Sequence, residues 1–177
     1  GGLKSRFITA ILALPVVLLI LWQGGLPFSA FIAIVCVIMG IEWINILSKG
    51  DKFPKILLSG LLVLTALASH DGFGSGLGFY IFGILFSIGL SLLLGVKLSL
   101  LSGGFAYIGA ATLSIILLRS IDNGLWLVFF VFWVVWATDV MAYVVGKTIG
   151  VRKLAPVISP NKTWAGLLGV GIGAALI

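Results

Sequence analysis

Long apolar runs, separated by short polar breaks, fill almost the whole chain. A transmembrane helix needs about 20 predominantly apolar residues, and the runs are continuously apolar rather than alternating, which favours helices over a β-barrel. We therefore predict an all-α fold, a polytopic transmembrane helical bundle with six full spanning helices and a truncated seventh that begins near Thr163. The six predicted helices are Phe7–Trp22, Leu26–Leu47, Ile56–Ala68, Leu77–Leu94, Leu98–Leu118 and Leu125–Val145.

Composition excludes a water-soluble domain. The chain is 61% hydrophobic and 9% charged, with a mean hydropathy of +1.30, whereas soluble domains carry about 25% charged residues. We interpret residues 3–177 as a single transmembrane domain that is incomplete at its C-terminus, and Gly1 and Gly2 as a cloning remnant. The expected surroundings are bilayer lipids, and no nucleic-acid partner is expected.

Basic residues are distributed asymmetrically among the predicted loops. Ten of the 11 lysines and arginines fall on one side, and the opposite loops contain only Arg119. Cytoplasmic loops are the basic ones, so the N-terminus and the 146–166 segment are predicted to be cytoplasmic. The ten residues are Lys4, Arg6, Lys49, Lys52, Lys55, Lys97, Lys147, Arg152, Lys153 and Lys162.

Two carboxylates fall within predicted helices, Glu42 and Asp139. At 1.5 Å per residue, both lie roughly 9–12 Å inside the cytoplasmic boundary, where a carboxylate faces a partner or a wet cavity. For Glu42 a structural role is favoured, either a helix–helix pair or a snorkelled carboxylate near the membrane interface. For Asp139 a functional role is favoured, because Tyr143 shares its helix face and the segment continues into a basic, glycine-bearing loop.

Other polar or reactive residues have simpler interpretations. Cys36 is predicted to be a small buried residue, and His70 and Asp71 are predicted to lie in a solvated loop. The glycine-rich runs "GFGSGLG" and "GVGIG" are expected to let membrane helices approach closely.

The stretch "KLAPVISPNKTWAG" (153–166) gathers basic, hydroxyl and proline residues. Ser159 and Pro160 are suited to the cap and first position of a helix, and a helix start with unpaired N–H groups is a ready site for phosphate. Lys162 adds a full positive charge. The alternative is that these residues only anchor a helix end at the membrane surface, and the residues alone leave the two interpretations even.

The segment "DVMAYVVGKTIGVRKLAPVISPNKTWAG" (139–166) resembles phosphatidate cytidylyltransferases. That family's pattern is D-x-x-A-Y-x-x-G-[KR]-x-x-G followed by K-L-x-P-x-[IV]-S-P-x-K-[TS]-x-E-G. Weaker similarities are "LKSRFITAILALPVVL", the pair Glu42-Trp43, and "YIGAATLSIILLRS". The matching positions are Asp139, Ala142, Tyr143, Gly146, Lys147, Gly150, Lys153, Leu154, Pro156, Ser159, Pro160, Lys162, Thr163 and Gly166.

The chain departs from the family pattern in two places. Ala165 stands where the family has glutamate. A second family signature, S-x-x-K-R-x(4)-K-D, whose neighbourhood supplies carboxylates for a metal, has no counterpart here. The resemblance therefore implies the N-terminal portion of such an enzyme, inactive by itself, with the main metal carboxylates expected beyond Ile177.

The resemblance implies transfer of a cytidylyl group from CTP to phosphatidate, giving CDP-diacylglycerol and pyrophosphate, with Mg²⁺ as cofactor. It also implies a multi-pass protein of the bacterial inner membrane and a possible homodimer. By this resemblance Asp139 and Lys162 are catalytic, with Asp139 a tentative metal ligand, and Tyr143 and Glu42 are supporting residues. The implied contacts to CTP or phosphate are Lys147, Lys153, Ser159, Asn161, Lys162 and Thr163.

Three other functions are weighed against this one. A CTP-dependent polyprenol or lipid kinase would transfer the γ-phosphate and release CDP. A small transporter would use Glu42 and Asp139 to line a path, but transporters bind near the midplane with broken helices. A structural scaffold leaves the dense 139–166 pattern unexplained.

Overall fold

The computed structural model describes residues 14–47, 52–95, 97, 99–150, 152–155 and 159–175. Within these ranges the chain is almost entirely helical and divides into two compact units, Gly1–Leu125 and Trp126–Ile177. The predictions that involve Lys4, Arg6 and Lys49 lie outside the described residues.

The helices agree closely with the predicted apolar runs. Their bounds are α1, described over Leu14–Gln23, α2 Gly25–Leu47, α3 Lys52–Ala68, α4 Phe73–Leu94, α5 Gly104–Ser120, α6 Gly124–Thr148 and α7 Trp164–Ala175. A 3₁₀ turn, Ser69–Asp71, extends α3, and a π-helical turn, Ser99–Gly103, precedes α5.

Five helical segments among the described residues are long and apolar enough to cross a membrane. The predicted helix Ile56–Ala68 is short for a span, and in the structure it extends at both ends, so that the helical segment runs from Lys52 to Asp71. Pro54 is tolerated there because it lies in the first turn, where its missing N–H would have no helical partner. The described parts of α1 and α7 are shorter, so the count of six full spans and a seventh stays a prediction.

In the first unit, α2, α3, α4 and α5 pack together through side chains. α2 and α3 both contact α5, and α4 packs against α3 and α5. Large apolar residues from these helices form the core, among them Phe28, Ile44, Leu58, Leu62 and Phe105, all at most 2% exposed.

Side-chain hydrogen bonds link α2 and α4 to α5 inside this unit. The Cys36 thiol lies 2.8 Å from the Thr112 hydroxyl, joining α2 to α5. The Tyr80 hydroxyl donates to the Ala106 carbonyl at 2.8 Å, joining α4 to α5. The prediction that Cys36 is a small buried residue is confirmed.

Glycines allow the closest helix contacts in this unit. The aromatic ring of Phe105 fills the space in which a side chain at Gly83 would lie, and a Cβ at Gly76 would lie 2.9 Å from the Ser69 backbone. The predicted close packing of the "GFGSGLG" run is thus confirmed for Gly76. Gly74 and Gly78 of the same run have open space beside them.

Arg119 ties the end of α5 to the end of α1. Its guanidinium donates from Nε to the Leu21 carbonyl and from Nη2 to the Trp22 carbonyl, both at 2.8 Å. The last carbonyls of a helix have no partner within the helix, and a cation there satisfies them. Gly24, at φ +65°, leaves room for this contact, because a Cβ at that position would lie 2.7 Å from the guanidinium.

The second unit contains most of α6, two short strands and α7. The strands β1 (Lys153–Ala155) and β2 (Ser159–Thr163) pair antiparallel, with Lys153 opposite Thr163 and Ala155 opposite Ser159. The register shifts between these two pairs. The sequence did not predict this β-ribbon.

α6 and α7 are in backbone contact along a row of glycines. A Cβ at Gly169 would lie 2.6 Å from the Met141 carbonyl oxygen, and one at Gly173 would lie 3.0 Å from the Ala137 carbonyl oxygen. Only small residues permit such an approach in a membrane. Because rising numbers on α7 meet falling numbers on α6, the two helices run antiparallel.

Candidate anion-binding site

The connection between α6 and α7 carries the predicted site. It begins in the last turn of α6, passes through the β-ribbon and ends at the first turn of α7. Four basic side chains lie along it, and all four are exposed: Lys147, Arg152, Lys153 and Lys162. A short segment that holds four cations is suited to bind a polyphosphate, whose charge it neutralises.

Asp139 is the one carboxylate in the sequence from Trp126 to Ile177. It lies on α6 two turns before Lys147, and its side chain is exposed. Within the described part of the chain, Asp139 forms no ion pair. A single acid among four cations leaves this segment strongly positive.

Tyr143 contacts Lys147 rather than Asp139. The Lys147 ammonium lies 3.3 Å from the Tyr143 hydroxyl and 5.5 Å from the centre of its ring. A cation over an aromatic face is attracted by the ring quadrupole. Tyr143 therefore orients Lys147, the residue one turn further along α6, and not Asp139.

The predicted helix start at Ser159 and Pro160 is wrong. These residues belong to β2, and α7 begins at Trp164. Residues 159–163 form a strand instead of a helix because β1 provides a backbone hydrogen-bonding partner. Pro160 is tolerated in this strand because one edge of the two-stranded ribbon is unpaired. The side chains of Ser159 and Asn161 lie outside the described part of the chain.

Thr163 caps α7 in place of Ser159. Its hydroxyl oxygen accepts a hydrogen bond from the Gly166 N–H at 3.1 Å, the contact that an N-cap residue makes with the third residue of a helix. The prediction that the seventh helix begins near Thr163 is confirmed, because α7 begins at Trp164. Only the alternative start at Ser159 and Pro160, four residues before Thr163, is wrong.

The other predicted polar residues remain apart from this segment. Glu42 is exposed on α2. Its neighbour Trp43 stacks on Tyr107, with ring centres 6.1 Å apart, and presses against Gly104 at the start of α5. Of these two residues, Trp43 packs against α5, whereas Glu42 does not contribute to the packing. His70 and Asp71 are exposed in the turn after α3, as predicted.

The described residues do not form a complete metal site. No group of three histidine, cysteine, aspartate or glutamate side chains comes together within the described ranges. Asp139 alone can offer carboxylate oxygens in the second unit. Mg²⁺ is often held by one or two carboxylates together with substrate phosphates and water, so Asp139 fits one part of such a site.

Helices long enough to span a membrane, an apolar exterior and a basic connection between α6 and α7 define a multi-pass helical membrane protein. The chain belongs to the Cytidylyltransferase family, whose profile matches residues 4–177. The family resemblance seen in residues 139–166 is thereby confirmed.

Two relatives illustrate the similarity. A protein of Brucella abortus biovar 1 (strain 9-941), named phosphatidate cytidylyltransferase, is 33% identical over 184 residues, which cover 99% of this chain and 66% of the relative. A protein of the same name from Staphylococcus aureus (strain COL) is 34% identical over 184 residues, covering 99% of this chain and 70% of the relative. The chain thus spans about two thirds of the length of these relatives. No solved structure gives a significant match.

Proposed function

We propose that this protein transfers a cytidylyl group from CTP to phosphatidate, giving CDP-diacylglycerol and pyrophosphate. Family membership and the names of the relatives support this reaction. The observation that carries it is the set of four exposed cations between α6 and α7, within the segment that matches the family pattern.

The reaction brings two polyanions together at a membrane surface. An oxygen of the lipid phosphate attacks the α-phosphorus of CTP, and the bond from that phosphorus to the bridging oxygen of the β-phosphate breaks. Pyrophosphate leaves with the electron pair of the broken bond. No protein nucleophile is needed, so catalysis consists of positioning the phosphates and screening their charge.

The basic segment supplies those two contributions. Lys162 is assigned to the phosphates at the reacting centre, with Lys147 and Lys153 and the residues Ser159 and Asn161 holding the rest of the triphosphate. Charge-assisted hydrogen bonds of this kind are shorter and about twice as strong as neutral ones. The Tyr143 contact supports the assignment of Lys147, because it limits the positions that the ammonium can take.

Asp139 is assigned to orient a cation, either a lysine of the segment or Mg²⁺. Bound Mg²⁺ would neutralise phosphate charge as it develops on the leaving group. With one carboxylate in the unit, Asp139 would supply one donor, and substrate oxygens and water would supply others.

We further propose that α1 and α7 are parts of spanning helices, which makes six full spans and the beginning of a seventh. The basic residues of the α6–α7 connection support a cytoplasmic position for it, by the positive-inside rule. This orientation agrees with the chemistry, since CTP is a soluble cytoplasmic nucleotide, and the bacterial inner membrane is the proposed location.

Two radiolabels on CTP test the proposal. Membranes that contain the complete gene product are incubated with phosphatidate and Mg²⁺, using CTP labelled at either the α- or the γ-phosphate. We expect label in lipid from α-labelled CTP only, together with labelled pyrophosphate from γ-labelled CTP. Lipid labelled only from the γ-phosphate would identify a kinase, and no labelled lipid from either would contradict both reactions.

A further inference from the structure

One hydroxyl group lies at the centre of the α6–α7 connection. Thr163 Oγ1 accepts from the Gly166 N–H at 3.1 Å. Cβ atoms built at three glycines would lie near the same oxygen, at 3.0 Å for Gly146, 2.6 Å for Gly150 and 3.3 Å for Gly166. The backbone of α6, of the turn after it and of α7 therefore converges on the Thr163 side chain.

Each of the four cations is attached directly to this junction. Lys147 follows Gly146, and Lys162 precedes Thr163. Lys153 is the ladder partner of Thr163 in the β-ribbon. The Arg152 carbonyl accepts a hydrogen bond from the Trp164 N–H at 3.1 Å. A shift of the Thr163 side chain would thus be transmitted to the backbone that carries every cation of the segment.

We infer that Thr163 is a positioning residue. It fixes the four cations that bind the triphosphate of CTP, and its own side chain does not contact the triphosphate. The Thr163 hydroxyl oxygen accepts from the Gly166 N–H, and the close approach of Gly146, Gly150 and Gly166 leaves the hydroxyl enclosed by backbone. This inference rests on the proposed function, and it replaces the sequence-based expectation that Thr163 contacts phosphate.

Two substitutions separate the hydroxyl from the shape of the side chain. Thr163→Ser keeps the oxygen, whereas Thr163→Val keeps the shape and leaves the Gly166 N–H without its acceptor. We expect Thr163→Ser to retain near-normal kinetics. Thr163→Val is expected to raise KM for CTP about tenfold, as for loss of a hydrogen bond that orders a charged site, with kcat changed much less. A serine variant as impaired as the valine variant would overturn the role of the hydroxyl.

A double-mutant cycle tests whether Thr163 acts through its glycine neighbours. A methyl group at position 146 would lie 3.0 Å from Thr163 Oγ1, whereas the next nearest atom, Gly166 Cα, is at 3.4 Å, an ordinary contact. We therefore expect Gly146→Ala to impair the protein when Thr163 is present and to add little further loss in a Thr163→Ala background. Independent, additive losses would show that the two residues do not share this contact, and would overturn the inference.

Gly171→Ala is the matched control, because no atom lies within 4 Å of a Cβ at that position. It introduces the same methyl group into the same unit without meeting Thr163. If Gly171→Ala has normal kinetics and Gly146→Ala is impaired, the loss comes from the contact with Thr163 and not from the added methyl group alone. If Gly171→Ala is equally impaired, the loss at Gly146 does not support the junction.

Amide hydrogen exchange tests the cap without any substrate. In the detergent-solubilised protein, Thr163→Val should speed exchange of the peptide that covers the first turn of α7 about fivefold, the effect of losing one N-cap. Thr163→Ser should not. Unchanged exchange in the valine variant would refute the role of Thr163 in the junction. Failure of the proposed function would appear separately, as absent cytidylyl transfer from CTP in the unmodified protein.

Discussion

Helices of the first unit meet through large side chains, whereas α6 and α7 of the second unit meet backbone to backbone. In the first unit, Phe28, Leu62 and Phe105 fill the space between helices. In the second, Gly166, Gly169 and Gly173 are the buried residues of α7. The first arrangement tolerates small adjustments because side chains can repack. The contact between α6 and α7 is made mainly by backbone atoms, which cannot repack as side chains do. It therefore restrains the charged connection between these two helices.

Replacing Lys162 by alanine should break the second unit's function while leaving the first unit intact. We expect kcat/KM for CTP to fall about 10²–10³-fold, as for loss of one charge-stabilising group at a reacting centre. The measurement is the α-label transfer assay with the complete gene product. Lys97→Ala removes an equally exposed lysine outside this unit and serves as control. Near-normal turnover by the Lys162 variant would refute its assignment.

Replacement of Asp139 should lower activity, whereas replacement of Glu42 should not. Asp139→Asn is expected to lower kcat/KM about 10–100-fold, because a charged partner of the cation–phosphate system is lost. Glu42→Gln, an exposed position on α2, should change it no more than about twofold. Equal losses in the two variants would remove the functional distinction between the units.

Adding one methyl group to α7 should show how rigid the backbone contact is. Gly169→Ala places a Cβ 2.6 Å from the Met141 carbonyl oxygen, and overpacking of this kind costs about 1–3 kcal/mol. Gly171→Ala should be neutral or stabilising by up to about 1 kcal/mol, because its surroundings are open and alanine favours the helix. Unfolding in detergent, followed by tryptophan fluorescence, measures both. A stable Gly169→Ala protein would mean that α6 and α7 can separate without loss.

Arg119 offers a test of the first unit. Arg119→Ala removes two hydrogen bonds to α1 carbonyls and should lower stability by about 1–2 kcal/mol. Arg119→Lys keeps the charge but not the planar fork that reaches both carbonyls, so it should restore only part of the loss. Full restoration by lysine would show that charge alone suffices. The readout is the same unfolding measurement.

The smallest expected effect is at Cys36. Cys36→Ala should lower the free energy of unfolding by no more than about 1 kcal/mol, because Thr112 also donates to the Ile108 carbonyl at 2.8 Å and is not left unpaired. A maleimide reagent should modify Cys36 only after unfolding, since the thiol is buried. Rapid labelling of the folded protein would contradict the packing of α2 on α5.

Sequence reasoning predicted most helices because each apolar run is long and its polar borders are distinct. α2 differs from its prediction by one residue, and α6 by one residue at its start and three at its end. The identity of the charged segment was also readable, from Asp139 and the basic residues that follow it. These features depend on local composition, which the sequence displays directly.

The β-ribbon and the Thr163 junction could not be read in the same way. Both depend on a backbone partner that lies about ten residues away, and neither Lys153 nor Thr163 signals that pairing by its own type. Ser159 and Pro160 formed a plausible helix start, and only the competing ladder with β1 made that prediction wrong. Likewise, the sequence around Arg119 did not indicate that its side chain would bond to carbonyls 97 and 98 residues earlier.

This last contact has a consequence for biosynthesis. The carbonyls at the end of α1 receive their donor from a residue at the end of α5, so α1 leaves the ribosome long before the group that completes it has been synthesised. Until then its final turn must be hydrated or held by the insertion machinery. Arg119 therefore acts as a latch that closes only after α5 has been synthesised, and it couples the end of α1 to a later step of membrane assembly.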